Sequence, residues 1–173
     1  EQFFEDGVQG YGEGRDFPGR RNVSRLSPYL RFGILSPYQL WHLLRQRQDA
    51  GEIGDRDAAK FLSELVWREF CHHLHFHLPA LHERNVQPKF DSFPWRDGAA
   101  QVVARWKKGL TGYPIVDAGM RELWQTGYMH NRVRMVAASF LVKHLLVDWR
   151  VGERWFWDTL VDGDPASNPA NWQ

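Results

Sequence analysis

The sequence predicts an all-α fold, and three observations support this prediction. Apolar residues recur at intervals of three and four along most of the chain, whereas the strict alternation that marks strands is scarce. Helix start and stop signals also recur, such as the pair Ser36–Pro37 and the glycines Gly109 and Gly127. The 173 residues are 43% hydrophobic, which is enough to bury a core. We therefore expect one helical domain over residues 1–173.

The first two helices are predicted from capping residues and apolar spacing. One covers residues 36–48 and has Ser36 as its N-cap. Its apolar stripe comprises Leu40, Leu43 and Leu44. The next helix begins at Asp57 and ends before Pro79, because proline cannot continue a helix. Its predicted core stripe, spaced by four residues, comprises Leu62, Val66, Phe70 and Leu74.

Four more helices complete the predicted bundle. A short helix around Val102, Val103 and Trp106 ends at Gly109, and the helix over residues 113–127 ends at the C-cap Gly127. The apolar residues on the latter are Val116, Met120, Leu123 and Trp124. A long helix follows over residues 131–149, and the last one covers residues 153–160. The buried face predicted for the long helix comprises Val133, Val136, Ala137, Phe140 and Leu141.

Composition limits the class of protein. No stretch approaches the roughly 18 consecutive apolar residues of a membrane helix, so no membrane association is expected. Cys71 is the only cysteine, which rules out an intrachain disulfide and favours a reducing, cytoplasmic setting. The net charge is +1, so a nucleic-acid surface would require local clustering. One cluster exists, for which a solvated loop is an equally good interpretation: Arg15, Arg20, Arg21, Arg25 and Arg31.

Three motifs that could bind a metal or a nucleotide fail on spacing. "DGDPASN" at residues 162–168 lacks the glycine at the sixth position of an EF-hand loop. "GYGEG" at residues 10–14 lacks the third glycine and the preceding strand of a dinucleotide fingerprint. His73 and His77 lie one helical turn apart without a clear third ligand. We therefore expect no metal site.

Other polar residues allow both a functional and a structural interpretation. Glu64 and Trp67 are three residues apart on one helix face, where they either line a pocket or decorate the surface. Ser24 and Ser27, at a turn entering a helix, either bind a pyrophosphate or act as caps.

Arginines and tryptophans raise similar alternatives. Arg132 and Arg134 stand in the first turn of a predicted helix, where the helix dipole disfavours cations. They therefore have an anion nearby or extend into solvent. The nine tryptophans exceed ordinary usage several-fold, although most aromatic residues simply pack cores.

Six motifs, in this order, decide between these interpretations. They are "YGEGRDFP", "SRLSPYLRFGILSP", "ELVWREF", "TGYPIVDAGMREL", "GYMHNRVRM" and "DGDPASNPANWQ". Together they resemble the FAD-binding helical domain of the DNA photolyase and cryptochrome family, over nearly the whole chain. The resemblance implies an all-α bundle around a bent FAD. It also implies a truncated chain, because family members carry an N-terminal α/β domain with an antenna pigment, of folate or deazaflavin type, and a C-terminal continuation.

The resemblance assigns cofactor contacts residue by residue. The FAD phosphates and ribityl chain are expected to bind Tyr11, Ser24, Arg25, Leu26 and Ser27. The ribityl chain and isoalloxazine ring are expected to bind Asp162, Gly163 and Asp164, with Arg134 paired to Asp162. Asn168 is expected beside flavin N5. Val23 departs from the family, which usually has threonine there, so one hydroxyl contact to the cofactor is lost.

The resemblance also implies an activity. The chain is similar to enzymes that repair cyclobutane pyrimidine dimers, and closest to the class I photolyases. In these enzymes reduced, excited FAD passes an electron to a flipped-out dimer in damaged DNA, the ring splits, and the electron returns. The expected substrate and DNA contacts are Arg15, Glu64, Trp67, Arg68, Asn131, Arg132 and Met135. The expected catalytic residues are Glu64 on the dimer, Asn168 at the flavin, and an electron relay of Trp172, Trp149 and Trp95.

Two alternatives stay open beside this monomeric repair enzyme. Within the family, the alternative is a cryptochrome-like blue-light photoreceptor that binds FAD without repair activity. Outside it, the alternative is a helical nucleic-acid-binding module that uses the arginine cluster and aromatic residues as a stacking groove.

Overall fold

The computed structural model describes residues 3–173, and within them every regular element is a helix. The predicted all-α fold is therefore confirmed. The α-helices are α1 (Tyr11–Gly14), α2 (Ser27–Arg31), α3 (Pro37–Asp49), α4 (Asp55–His77), α5 (Ala100–Lys107), α6 (Pro114–Thr126), α7 (Asn131–Ser139), α8 (Trp149–Thr159) and α9 (Ser167–Trp172). Two π-helical segments, Phe3–Gly7 and Phe140–His144, and a 3₁₀ turn at Pro88–Phe90 complete the set. None of the described helices is long and apolar enough to span a membrane.

The chain divides into two compact units, one ending at Phe70 and the other beginning at Cys71 within α4. The expectation of one domain over residues 1–173 stays a prediction. In the first unit, four aromatic rings with centroids 5.4 to 5.7 Å apart form the centre of the core. These rings belong to Phe3, Phe4, Tyr11 and Phe61. Leu40 and Leu44 of α3 are also buried, as predicted.

The buried stripe of α4 differs from the predicted one. Leu62 is buried, but Val66 and Phe70 are 55% and 46% exposed and Leu74 is only half-buried. A spacing of four residues advances about 40° beyond a full turn at each step, so the series rotates away from the core. The observed buried positions of α4 within the first unit are Ala58, Phe61, Leu62 and Leu65.

The second unit is a helical bundle in which α5 packs on α6, α6 on α7, and α8 on α9. Gly119 permits the close approach of α6 and α7, because a Cβ there would lie 2.2 Å from Val133 Cγ1. Gly127, with φ at 67°, ends α6 as the predicted C-cap. The core contains the following buried residues: Trp106, Val116, Met120, Leu123, Met129, Val133, Leu141, Phe156 and Trp172.

Three predictions for the second unit are wrong. Val136 was assigned to a buried face, but it is 41% exposed. The long helix over residues 131–149 is broken: α7 ends at Ser139, a π-helical segment follows, and Leu146 has a φ of 55°. A new helix then starts, because Asp148 Oδ1 accepts the N–H of Arg150 at 2.9 Å and thereby caps α8. The last helix is therefore longer than residues 153–160, and α9 follows it.

Candidate functional site

The predicted pair of Arg134 and Asp162 is formed in the second unit. Arg134 Nη1 and Nη2 donate to Asp162 Oδ1 and Oδ2 at 3.0 and 2.9 Å, a bidentate arrangement. Arg134 Nε donates to the carbonyl oxygen of Met129 at 2.7 Å. The Asp162 side chain is only 4% exposed. The arginine near the start of α7 therefore faces a buried anion, which compensates the unfavourable helix dipole.

Asp164 is the second buried carboxylate of the same loop. Its Oδ1 accepts the N–H groups of Ala166 and Ser167 at 2.8 and 2.7 Å, which fixes the entry into α9. Its Oδ2 lies 3.5 Å from His72 Nε2, a buried atom that has no hydrogen-bond partner among the described residues. His72 was not predicted as a site residue, because its proximity to Asp164 arises only in the folded chain.

Asn168 is held by Glu153 of α8. Asn168 Nδ2 donates to the backbone oxygen and to Oε1 of Glu153 at 3.1 and 2.9 Å. Both amide hydrogens are thus engaged, which leaves the Oδ1 atom of Asn168 as the group that can accept a hydrogen bond from a ligand. Burial raises the pKa of the Glu153 carboxyl, although the Asn168 hydrogen bond lowers it. Glu153 was not predicted as a site residue.

The three tryptophans predicted as a relay share one hydrophobic cluster. Trp172 and Trp149 are 8% and 3% exposed, and the partly buried Trp95 packs against the same cluster. Trp172 packs edge-on against Phe156, with ring centroids 4.9 Å apart. It also lies directly over Gly152, where a Cβ would meet Trp172 Cη2 at 2.3 Å. The position and orientation of Trp172 are therefore fixed by α8.

Glu64 in the first unit is bound by two cations. It forms an ion pair with Arg15, and Lys60 Nζ lies 3.1 Å from Glu64 Oε1. Burial raises the pKa of the Glu64 carboxyl, but the hydrogen bonds and charges of Arg15 and Lys60 outweigh burial and hold it below its ordinary value. Trp67, one turn along α4, is 59% exposed. An ionised acid and an accessible ring thus occupy one face.

Arg15 is held by an acid in the first unit. Its side chain is 8% exposed and forms the ion pair with Glu64. Arg15 thereby positions Glu64 and keeps it ionised. The predicted contact of Arg15 with the DNA backbone stays a prediction. Arg68, another predicted DNA contact, forms an ion pair with the neighbouring Glu69 at 2.5 Å.

The segment around Ser24 has an unusual backbone. Arg25 adopts a φ of 51°, in the left-handed region, which costs about 1–2 kcal/mol for a residue with a Cβ. Ser24 Oγ accepts the N–H of Leu26 at 3.4 Å, and Ser27 begins α2. Strain of this kind clusters at ligand-binding sites. Tyr11 is buried in the aromatic cluster, 5.4 Å from the Arg15 guanidinium.

The predicted substrate residues of α7 lie together. Asn131 and Met135 are exposed, and they are one helical turn apart. Arg132 Nη1 lies 3.2 Å from Met135 Sδ. Within residues 3–173, no group of three or more His, Cys, Asp or Glu side chains is arranged to hold a metal.

Comparisons with known proteins identify the family of this chain. Residues 61–173 match the family model of the FAD binding domain of DNA photolyase. A deoxyribodipyrimidine photo-lyase of Agrobacterium fabrum is 56% identical over 173 residues, which are 100% of this chain and 36% of that protein. This chain thus spans about a third of the length of the curated relatives it matches.

Solved structures give the same result. A bacterial class III photolyase from Agrobacterium tumefaciens has a TM-score of 0.95 and 56% identity, over 99% of this chain and 35% of that one. A cryptochrome from Synechocystis sp. has a TM-score of 0.89 and 36% identity, over 97% of this chain and 35% of that one. The resemblance seen in the sequence is confirmed, while the assignment to class I stays a prediction. The chain belongs to the family of the FAD binding domain of DNA photolyase.

Proposed function

We propose that this chain is part of a deoxyribodipyrimidine photo-lyase, which splits cyclobutane pyrimidine dimers in DNA with light and FAD. The observation that carries the proposal is the polar set of Asp162, Asp164 and Asn168, each held in a fixed orientation by its partners. Family membership and the 56% identity to a photo-lyase support it. FAD, when bound and reduced, supplies the electron that opens the dimer under light.

The residues of the second unit fit a flavin. Carboxylate and amide oxygens are the acceptors that the N–H groups of a flavin ring require. Asn168 offers only its oxygen, because Glu153 binds both amide hydrogens. The bidentate bond to Arg134 keeps Asp162 in one orientation. In the first unit, Tyr11 and the segment from Ser24 to Ser27 are proposed to hold the FAD phosphates and ribityl chain.

The substrate role of Glu64 follows from its charge state. A carboxylate that Arg15 and Lys60 keep ionised is an acceptor for the N–H edge of a pyrimidine. Trp67 offers an exposed ring on which a flipped base can stack. The remaining proposed contacts to DNA are Arg68, Asn131, Arg132 and Met135.

We retain three finer expectations as parts of this proposal. Trp172, Trp149 and Trp95 relay electrons, which their common cluster supports. The enzyme acts as a monomer on a flipped-out dimer in the cytoplasm. The antenna pigment, of folate or deazaflavin type, binds outside residues 1–173.

A second candidate is a cryptochrome-like photoreceptor, which the similarity to the Synechocystis cryptochrome favours. One experiment separates the two. Purified full-length protein is incubated with ultraviolet-irradiated oligothymidine, and recovery of thymine absorbance is followed under blue light and in the dark. Recovery in light alone supports repair. A protein that binds FAD but restores no thymine is a photoreceptor, and a protein that binds no FAD contradicts both candidates.

A further inference from the structure

The second unit has a recess formed by residues to which neither the flavin nor the dimer has been assigned. Its cavity volume is about 470 Å³. It is lined by Ala104, Lys107, Lys108, Met120, Arg121, Trp124, Gln125 and Trp155. We propose that this recess is a second nucleotide site, in which a base stacks on Trp124 and its phosphate lies against the neighbouring cations.

The aromatic side of the recess is a stacked tryptophan pair. The rings of Trp124 and Trp155 are nearly parallel, at 7°, with centroids 5.7 Å apart. Trp124 is 69% exposed, although Val116, Met120 and Leu123 on the same helix are fully buried. Because Trp155 backs one side of the Trp124 ring and fixes its tilt, the exposed surface is a pre-oriented platform for another planar ring.

Three cationic side chains also line the recess, those of Lys107, Lys108 and Arg121. Lys107 Nζ lies 4.5 Å from the centre of the Trp155 ring, and Lys108 follows it at the end of α5. Arg121 Nη2 donates to the backbone oxygen of Gly109 at 2.7 Å, which holds its guanidinium at the rim. None of the eight lining residues is acidic.

A planar ring and a negative charge within one small molecule define the ligand. A base attached to a phosphate satisfies the platform and the cations together, whereas inorganic phosphate or an uncharged ring satisfies one of them. The source of the nucleotide is either a free mononucleotide or one unit of a DNA strand. This inference is independent of the proposed repair function, because Trp124 and its neighbours have no part in that function.

The test uses full-length protein with FAD bound and follows tryptophan fluorescence during titration with dTMP. We expect saturable quenching by dTMP. Trp124→Ala and Lys107→Glu should each raise the Kd for dTMP about tenfold or more. Trp157→Ala is the matched control, because Trp157 is an exposed tryptophan outside the recess. Inorganic phosphate should give no quenching, and dimer repair should be unchanged by Trp124→Ala.

A second titration, with an oligothymidine of eight nucleotides, distinguishes a free mononucleotide from a DNA strand as the ligand. Tighter binding of the oligonucleotide through Trp124 assigns the site to a DNA strand, and binding of dTMP alone assigns it to a free nucleotide. The proposal is overturned if neither probe binds, or if Trp124→Ala binds both as the unaltered protein does.

Discussion

The ion pair of Arg134 and Asp162 gives the sharpest quantitative prediction. The two partners differ in burial, since the Asp162 side chain is 4% exposed and that of Arg134 is 23% exposed. Arg134→Ala leaves a buried carboxylate without its cation. Asp162→Ala leaves an arginine that can turn its guanidinium towards water. The two single substitutions therefore differ in cost although they remove the same interaction.

The magnitudes follow from the cost of unpaired charge. Removing one partner of a buried pair costs about 3–5 kcal/mol when the remaining charge stays buried. We expect this loss for Arg134→Ala. For Asp162→Ala we expect a smaller loss, at most about 1–3 kcal/mol, because that range applies to a partner left buried and unsatisfied and Arg134 can turn towards solvent. The double variant should lose less than the sum of the two single variants, because the pair interacts directly.

Urea unfolding of the protein without cofactor measures these differences, with helical circular dichroism as the signal. Cofactor must be absent because a bound ligand adds its own stabilisation. Equal losses for the two single variants would show that burial does not control the cost. A loss below about 1 kcal/mol for Arg134→Ala would refute the interpretation of Asp162 as a buried anion.

Three further predictions concern Trp172 and two acids. Gly152→Ala should displace Trp172 and lower the free energy of unfolding in urea by about 1–3 kcal/mol. Gly19→Ala is the control and should cost little, because a Cβ at Gly19 would have nothing within 4 Å. Equal costs would contradict the close packing of Trp172 on Gly152. The folded-state pKa of Glu64 is lowered from 4.5, so its stabilising contribution exists above that pH and is lost as pH falls through the folded pKa. Glu64→Gln should flatten the acid limb of stability against pH, and parallel curves would count against the assignment. The pKa of Glu153 is raised from 4.5, so stability is lost as pH rises through the folded pKa. Glu153→Gln should remove that loss and gain stability relative to the unaltered chain as the pH rises above 4.5; a difference that is constant with pH would disprove it.

The sequence predicted the site better where a local rule was violated than where a pattern was followed. Arg134 at a helix start indicated a nearby anion, and the structure supplies Asp162. Apolar spacing, by contrast, assigned Val66 and Phe70 to the core, although both are exposed. Periodicity identifies an apolar stripe but does not distinguish a buried face from a binding surface. The helix α9 was missed because it is short, polar and contains Pro169.

Contacts between residues that are far apart in the sequence could not be predicted from the sequence. Glu153 holds Asn168 from 15 residues away, and Arg15 pairs with Glu64 across the first unit. His72 approaches Asp164 only in the folded second unit. Each of these contacts depends on helix packing, which a single sequence does not specify. The resemblance named Asn168 and Asp164 for the cofactor and both Arg15 and Glu64 for the substrate or DNA, and the structure shows which partners orient them.

A loop from Asp162 to Asn168 that holds a flavin should control FAD affinity, which an FAD titration of full-length apoprotein measures. Asp164→Asn is the variant to use, because an amide oxygen can still accept the N–H groups of Ala166 and Ser167 while the charge is lost. Asp158→Asn, an exposed acid on α8, is the control. We predict stoichiometric binding by the unaltered protein and the control, and about tenfold or weaker binding by Asp164→Asn. Equal FAD affinity in all three proteins would contradict flavin binding by the loop from Asp162 to Asn168.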